Sequence, residues 1–151
     1  MDASAPPLIV IVEDDEFAAF LFKQALTSNG YAVAICKGDD ESFAALVSQR
    51  PAALLVDLHL GEIDGIQLLR RLRAVRSLQQ IPAVVITGDY FTDARVSSEL
   101  ESLGIELHLK PIWDDELLRV VAGLIKRPAV APPPREAHDD RPSVRWNSVT
   151  H

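Results

Sequence analysis

Five short apolar segments alternate with stretches of helical spacing, and this alternation constrains the fold more than any other feature of the chain. The apolar segments are Leu8–Val12, Tyr31–Cys36, Ala53–Val56, Ala83–Thr87 and Ile105–Leu109. Several of them are nearly continuous in apolar residues, which is typical of strands covered on both faces. We therefore predict an α/β fold, in which a five-stranded parallel sheet carries five helices on its two faces.

The intervening stretches have apolar residues at helical spacing. The first stripe consists of Ala18, Leu21, Phe22, Ala25 and Leu26, and Asn29-Gly30 ends that helix. The third stripe consists of Ile66, Leu69, Leu72 and Val75, and the arginines between Arg70 and Arg76 are predicted to form a solvated face. The last helix carries Leu117, Val120, Val121 and Leu124, and Trp113 is predicted to pack near its start.

Charge is unevenly distributed along the chain. The formal net charge is −7, and residues 126–151 hold five Lys/Arg against three Asp/Glu, so residues 1–125 carry −9. Such an acidic body disfavours nonspecific binding to nucleic acid. No apolar run is long enough to span a membrane. Because Cys36 is the single cysteine, the chain has no intrachain disulfide, and we expect a reducing, cytoplasmic location.

The chain divides into three parts by composition. Residues 1–7 form an N-terminal extension, residues 8–125 form the domain, and residues 126–151 form a Pro-rich linker and a polar C-terminal tail. The tail contains Trp146, which marks either a contact with folded protein or an isolated ring in a disordered segment. We favour docking of the tail on its own or a neighbouring chain.

Polar residues follow the predicted strands at their carboxyl ends. Glu13, Asp14 and Asp15 follow the first strand, and Asp57 follows the third. Thr87 ends the fourth strand and Lys110 follows the fifth. The carboxyl ends of parallel strands are where such sheets bind ligands, so we expect these groups to lie close together.

This set of residues is suited to phosphoryl transfer. Clustered carboxylates need a cation, and their oxygen ligands favour Mg²⁺. A carboxylate can act as a nucleophile and become an aspartyl-phosphate. Lys110 and Thr87 can stabilise charge on the phosphoryl oxygens.

Four sequence motifs carry a family resemblance. They are VEDD at 12–15, LLVDLHLGEIDG at 54–65, ITG at 86–88 and LKP at 109–111. With these motifs in this order, the chain resembles the single-domain, chemotaxis-type receiver domain of two-component response regulators. The resemblance covers about residues 8–125 and implies a flavodoxin-like sheet with strand order 2-1-3-4-5.

The resemblance implies a role for each matching residue. Asp57 would accept a phosphoryl group from a sensor histidine kinase or a histidine phosphotransfer protein. Thr87 would contact a phosphoryl oxygen, and Lys110 would pair with Asp57 and then with the phosphate. Lys110-Pro111 would be a cis peptide, and Gly65 would lie at the turn into the third helix.

The resemblance also implies a Mg²⁺ cofactor. Asp14 would be a ligand, with Glu13 holding the ion directly or through water. Asp57 and the backbone carbonyl of His59 would complete the protein ligands.

The implied function is a phosphorylation-driven binding switch and not an enzyme with a separate substrate. The output surface would be helix four, strand five and helix five, roughly Phe91–Ile125. That surface or the C-terminal tail would bind a downstream protein or form a homodimer. The family usually has an aromatic residue where this chain has Leu107, and Tyr90 or Phe91, near a short insertion at 90–92, would then supply the ring.

Two alternatives remain open from the residues. The first is a receiver-fold interaction module that works without phosphorylation. Leu107 favours this alternative, because it stands where the family usually has an aromatic residue. The second is a Mg²⁺-dependent phosphatase of the haloacid-dehalogenase kind. That class needs an aspartate two residues after its nucleophile, where this chain has His59. A further possibility, beside these two, is a receiver that passes its phosphoryl group on to a phosphotransfer protein.

Overall fold

Strands and helices alternate along the computed structural model, which describes residues 5–60, 63–88 and 94–126. The strands of the main sheet are β1 (Leu8–Val12), β2 (Ala32–Cys36), β3 (Ala53–Val56), β4 (Ala83–Thr87) and β5 (Glu106–Leu109). The helices are α1 (Glu16–Thr27), α2 (Asp40–Gln49), α3 (Gly65–Ala74), α4 (Ala94–Ser102) and α5 (Asp114–Lys126). All five strand predictions are confirmed, with at most one residue of difference at an end.

The main sheet is entirely parallel. Its strand order is β2-β1-β3-β4-β5, so the predicted order is confirmed. In the register of the central strands, Val12 of β1 lies beside Val56 of β3, and Val56 lies beside Val85 of β4. β1 and β3 therefore end level with each other, and β4 and β5 continue two residues further, to Thr87 and Leu109. The carboxyl ends of all four strands lie along one edge of the sheet.

Alternate strand residues face opposite sides of the sheet and form two apolar layers. On one side, Val10, Leu54 and Val85 pack with buried residues of α2, α3 and α4. On the other side, Ile11, Leu55 and Val84 pack with buried residues of α1 and α5. The helices therefore cover both faces of the sheet, as predicted.

The buried stripe of α1 differs from the predicted one. Ala19, Phe22, Ala25 and Leu26 are buried, whereas Leu21 is 46% exposed. The predicted and observed stripes overlap at Phe22, Ala25 and Leu26, but the helix is rotated so that Leu21 points outward. Apolar residues surround much of this helix, so the spacing alone does not identify which side meets the sheet.

Trp113 is exposed, contrary to the prediction that it packs at the start of the last helix. It precedes α5 and 69% of its surface is accessible. Of the predicted stripe of α5, Leu117, Val121 and Leu124 are buried, and Val120 is partly buried against the same apolar layer. Trp113 comes one residue before the regular turn, so helical spacing does not fix where its ring points.

A short antiparallel hairpin was not predicted. Its strands are His59–Leu60 and Ile63–Asp64. Asp64 then caps α3 by accepting a hydrogen bond from the Ile66 N–H at 2.9 Å. Two-residue strands are too short to show a periodicity in the sequence.

The arginines of α3 do not form one solvated face, because Arg73 is a structural residue. Its guanidinium donates hydrogen bonds to the backbone carbonyls of Leu78, Gln79, Ile81 and Leu103. Arg70 instead pairs with Glu99 of α4. Arg71 pairs with Asp40 and lies 4.1 Å from the centre of the Phe43 ring. Through these four hydrogen bonds, Arg73 connects the end of α3 to the chain before β4 and to the turn after α4.

Several sequence predictions fall outside the described residues. These are the proposed insertion at 90–92, the start of the output surface at Phe91, and the tail from 127 to 151. Within the described ranges, no helix has both the length and the apolar character needed to cross a lipid bilayer.

We predict that Arg73→Met destabilises the domain much more than Arg76→Met. The Arg73 variant loses charge-assisted hydrogen bonds to four carbonyls, which should lower the free energy of unfolding by about 2 kcal/mol or more. Arg76 is exposed, so its replacement should change stability by less than about 0.5 kcal/mol. Urea unfolding of both variants checks this, and equal stabilities would contradict the role assigned to Arg73.

Candidate functional site

Four side chains from four strand ends meet at the carboxyl edge of the sheet. Glu13 follows β1, Asp57 follows β3, Thr87 ends β4 and Lys110 follows β5. Glu13, Asp57 and Thr87 are the buried polar residues of the described core. The strands are parallel and have their carboxyl ends at one edge of the sheet, which explains why residues so far apart in sequence lie together.

Lys110 bridges two carboxylates. Its Nζ lies 2.9 Å from Glu13 Oε1 and 2.9 Å from Asp57 Oδ2. The Glu13 and Asp57 side chains are 3% and 8% exposed, and the Lys110 side chain is 24% exposed. The pairing of Lys110 with Glu13 was not predicted, because the resemblance assigns Lys110 to Asp57 and Glu13 to the metal ion.

The other oxygen of Asp57 accepts two hydrogen bonds. Thr87 Oγ1 donates to Asp57 Oδ1 at 3.0 Å, and the His59 N–H donates to the same oxygen at 3.0 Å. Because the donor at His59 is its backbone N–H, this hydrogen bond could not be predicted from the residue type. The carboxylate is therefore held on both oxygens by donors from three different segments.

The electrostatics of the site favour an ionised Asp57. Burial raises the pKa of this carboxyl, but the hydrogen bond from the His59 N–H and the hydrogen bond and charge of Lys110 bring its pKa below the ordinary value. Burial also raises the pKa of Glu13, against the opposing effect of Lys110. Burial would lower the pKa of Lys110, yet its two carboxylate partners raise it.

The acidic triplet after β1 separates into different roles. Asp15 is the N-cap of α1, since its side chain accepts hydrogen bonds from the N–H groups of Phe17 and Ala18. Its own N–H donates to Glu13 Oε2 at 3.2 Å. Asp14 is exposed, and so is the side chain of His59. The structure thus brings Glu13, but not Asp14, into contact with Lys110.

The donor chemistry of this edge fits Mg²⁺, although the described residues hold no group of three or more Asp, Glu, His or Cys side chains arranged to bind a metal. Two buried carboxylates share one ammonium, so the cluster keeps an excess negative charge. Mg²⁺ commonly uses one or two carboxylates and keeps several waters. The ligand set of Glu13, Asp14, Asp57 and the His59 carbonyl stays a prediction.

Two local features shape the wall beside Asp57. The Lys110-Pro111 peptide is cis, as the resemblance implied. Gly65 is the first residue of α3, where a Cβ would lie 2.4 Å from the Asp57 carbonyl oxygen and 2.8 Å from the Leu58 Cα. The Gly65 N–H also donates to the Leu58 carbonyl at 3.0 Å. A side chain at position 65 would therefore displace the backbone that carries Asp57.

Comparison with known families agrees with this geometry. The sequence profile of the response regulator receiver domain matches residues 9–122. The chain belongs to the response regulator receiver domain family. In this receiver domain the matched segment includes all four strand ends described above.

Curated relatives include longer response regulators. Response regulator MprA from Mycolicibacterium vanbaalenii is 28% identical over 122 residues, which are 81% of this chain and 52% of that protein. MprA from Mycobacterium avium is 29% identical over 119 residues, which are 79% of this chain and 51% of that protein. The chain spans about half the length of these curated relatives.

Solved structures share the fold. The receiver domain of sensor histidine kinase PA1611 from Pseudomonas aeruginosa superposes with a TM-score of 0.72 at 25% identity, over 82% of this chain and all of that one. That structure has a magnesium ion coordinated in its active site cleft. A CheY-like receiver domain from Methanospirillum hungatei gives a TM-score of 0.73 at 24% identity, over 80% of this chain and 94% of that one.

We predict that Gly65→Ala destabilises the receiver domain by about 2 kcal/mol, because the added methyl group overlaps the backbone at Asp57 and Leu58. Gly123→Ala is the matched control, since a Cβ there meets nothing within 4 Å. It lies within α5 and should stabilise the domain by about 0.5–1 kcal/mol. Thermal or urea unfolding measures both, and a stabilising Gly65→Ala would contradict the geometry described.

Proposed function

We propose that this receiver domain is a phosphorylation-driven binding switch in a two-component phosphorelay. Asp57 accepts a phosphoryl group, with Mg²⁺, from a sensor histidine kinase or a histidine phosphotransfer protein. The observation that supports this most directly is the setting of Asp57, a buried carboxylate held by Lys110, Thr87 and the His59 N–H. Such a carboxylate is ionised, oriented and surrounded by donors.

In the proposed step an oxygen of Asp57 attacks phosphorus. The new O–P bond forms as the bond from phosphorus to the donor breaks, and the leaving group takes the electron pair. The donor is a phosphohistidine nitrogen in the relay or the acetate oxygen of acetyl phosphate. The product is an acyl phosphate on Asp57.

The residues around Asp57 stabilise the negative charge that the phosphoryl group brings into the site. Lys110 Nζ, which already contacts Asp57, can follow the negative charge onto a phosphoryl oxygen. The Thr87 hydroxyl, which donates to Asp57 Oδ1, can likewise donate a hydrogen bond to a phosphoryl oxygen. Glu13, Asp14 and the His59 carbonyl would hold Mg²⁺, which neutralises phosphoryl charge when bound.

Phosphorylation would then bias a two-state equilibrium through Thr87. Thr87 ends β4, and the segment after it leads to α4, so a change of Thr87 partner acts directly on the start of the output surface. That surface comprises α4, β5 and α5, roughly Phe91–Ile125. A shift from 1:99 to 99:1 needs about 5.5 kcal/mol of differential stabilisation.

The remaining parts of the proposal concern partners and place. A downstream protein, or a second copy in a homodimer, would bind the switched surface. We place the domain at residues 8–125, with an extension at 1–7 and a linker and tail at 126–151, in the cytoplasm. The acidic body makes nucleic acid an unfavourable direct ligand. The domain catalyses only its own phosphorylation and dephosphorylation.

One observation favours a second function, an interaction module that works without phosphorylation. Leu107 packs against the core cluster on the α2, α3 and α4 side, so no ring occupies that position of β5. With Leu107 at this position of β5, the output surface could bind its partner constitutively. A phosphatase of the haloacid-dehalogenase kind is disfavoured by the family assignment and by His59.

We predict that acetyl phosphate and Mg²⁺ add one phosphoryl group to the intact protein and that Asp57→Asn abolishes the addition. The amide cannot supply the nucleophilic oxygen that the buried carboxylate supplies. Intact-mass spectrometry measures the phosphorylated fraction.

The matched control is Asp114→Asn, which removes an exposed carboxylate in the first turn of α5 and should leave phosphorylation unchanged. Chelation of Mg²⁺ should prevent the mass gain. An unmodified protein at saturating acetyl phosphate would instead support the constitutive module.

A further inference from the structure

The first turns of α1 carry large apolar side chains that are exposed. Phe17 is 69% exposed, Phe20 is 51% exposed and Leu21 is 46% exposed. Their spacing of three and four residues places them on one side of the helix, opposite the buried Ala19, Phe22 and Leu26. We call Phe17, Phe20 and Leu21 the α1 patch. Two phenylalanine rings on one exposed face of a small domain indicate a surface that another segment covers.

Acidic residues border this patch. Asp14, Asp15 and Glu16 lie at the start of α1 and are exposed. The neighbouring α5 packs with α1 through the shared apolar layer, and its first turn carries Asp114, Asp115 and Glu116. Both helices follow strands at the same edge, so their acidic first turns lie at the same end of the domain. The favoured occupant of the patch is therefore apolar and basic.

A segment of this chain has that composition. Residues 141–149 read RPSVRWNSV, with Arg141 and Arg145, the tail's tryptophan Trp146, and no acidic residue. Val144 and Val149 add apolar area. This stretch is positively charged while the body is strongly negative, so attraction between the two is favourable.

The chain is long enough for the contact. α5 ends at Lys126, and residues 127–140 separate it from this segment. Fourteen residues span about 43 Å in a polyproline-like conformation, and the twelve-residue α1 is about 18 Å long. Because the segment is tethered to the same domain, its effective concentration is in the range of about millimolar.

We propose that residues 141–149 dock on the α1 patch, with Trp146 against the phenylalanine rings and Arg141 and Arg145 near the acidic first turns. A second copy is a poorer occupant, because pairing of two α1 patches would bring their acidic borders together. The docked segment covers a face of α1, the helix that follows β1 and Glu13. The proposal concerns the unphosphorylated chain and stands independently of phosphorylation at Asp57.

Quenching of tryptophan fluorescence tests the docking in the full chain. Trp113→Phe leaves Trp146 as the single tryptophan, and acrylamide then reports its exposure. In this background Phe20→Asp should raise the quenching constant of Trp146 by about twofold or more, because the patch loses its apolar contact. Ala44→Asp adds the same charge to an exposed position of α2, on the other face of the sheet, and should leave quenching unchanged.

The outcomes separate the candidate occupants. Protection of Trp146 that is independent of protein concentration and weakened by salt supports intramolecular docking. Protection that grows with concentration together with a dimer mass in sedimentation would overturn the proposal in favour of a second copy. Equal quenching in the parent and in Phe20→Asp would overturn it outright. Phe17→Ser repeats the test at a second patch residue, and circular dichroism confirms that each variant is folded.

Discussion

One ammonium group shared by two buried carboxylates organises the functional edge of this domain. Lys110 neutralises part of the charge of Glu13 and Asp57, which would otherwise repel each other in a poorly hydrated site. Removing one partner from such a cluster typically costs about 3–5 kcal/mol, because it leaves charge that is buried and uncompensated. The same contact orients Asp57 and lowers its pKa, and in the proposed function it would provide a donor for the incoming phosphoryl group. Stability and chemistry therefore depend on the same contact.

The sheet makes this arrangement possible. A parallel sheet places the polar residues at the carboxyl ends of β1, β3, β4 and β5 along one edge, although 97 positions separate Glu13 from Lys110. The helices then complete the wall, since Asp15 caps α1 and Gly65 allows α3 to start against the backbone of Asp57. The surfaces proposed for partner binding and for the tail begin at this same edge. A change in charge at Asp57 would therefore occur close to both proposed surfaces.

The sequence was informative where a residue's type determines its role. Short apolar segments between stretches of helical spacing predicted all five strands, and the positions of Asp57, Thr87 and Lys110 at strand ends predicted that these side chains lie close together. The predictions were wrong or incomplete where the orientation of a side chain, or a contact with a backbone group, determines the role of a residue. Leu21 has the right spacing for burial but lies on the outward side of α1, and Trp113 lies outside the regular turns of α5. Arg73 looks like its solvent-exposed neighbours, and only the positions of four carbonyls distinguish it. The donor from the His59 backbone has no counterpart in the residue type at all.

The titration of Asp57 in metal-free protein tests the shared ammonium most directly. Nuclear magnetic resonance of the side-chain carboxyl carbon gives its pKa in the parent protein and in Lys110→Met. We expect the pKa of Asp57 to lie below the ordinary aspartate value in the parent and to rise clearly in the variant. In the variant, burial raises the pKa without the compensating charge of Lys110. An unchanged pKa on removal of Lys110, or a parent value above the ordinary one, would contradict this expectation.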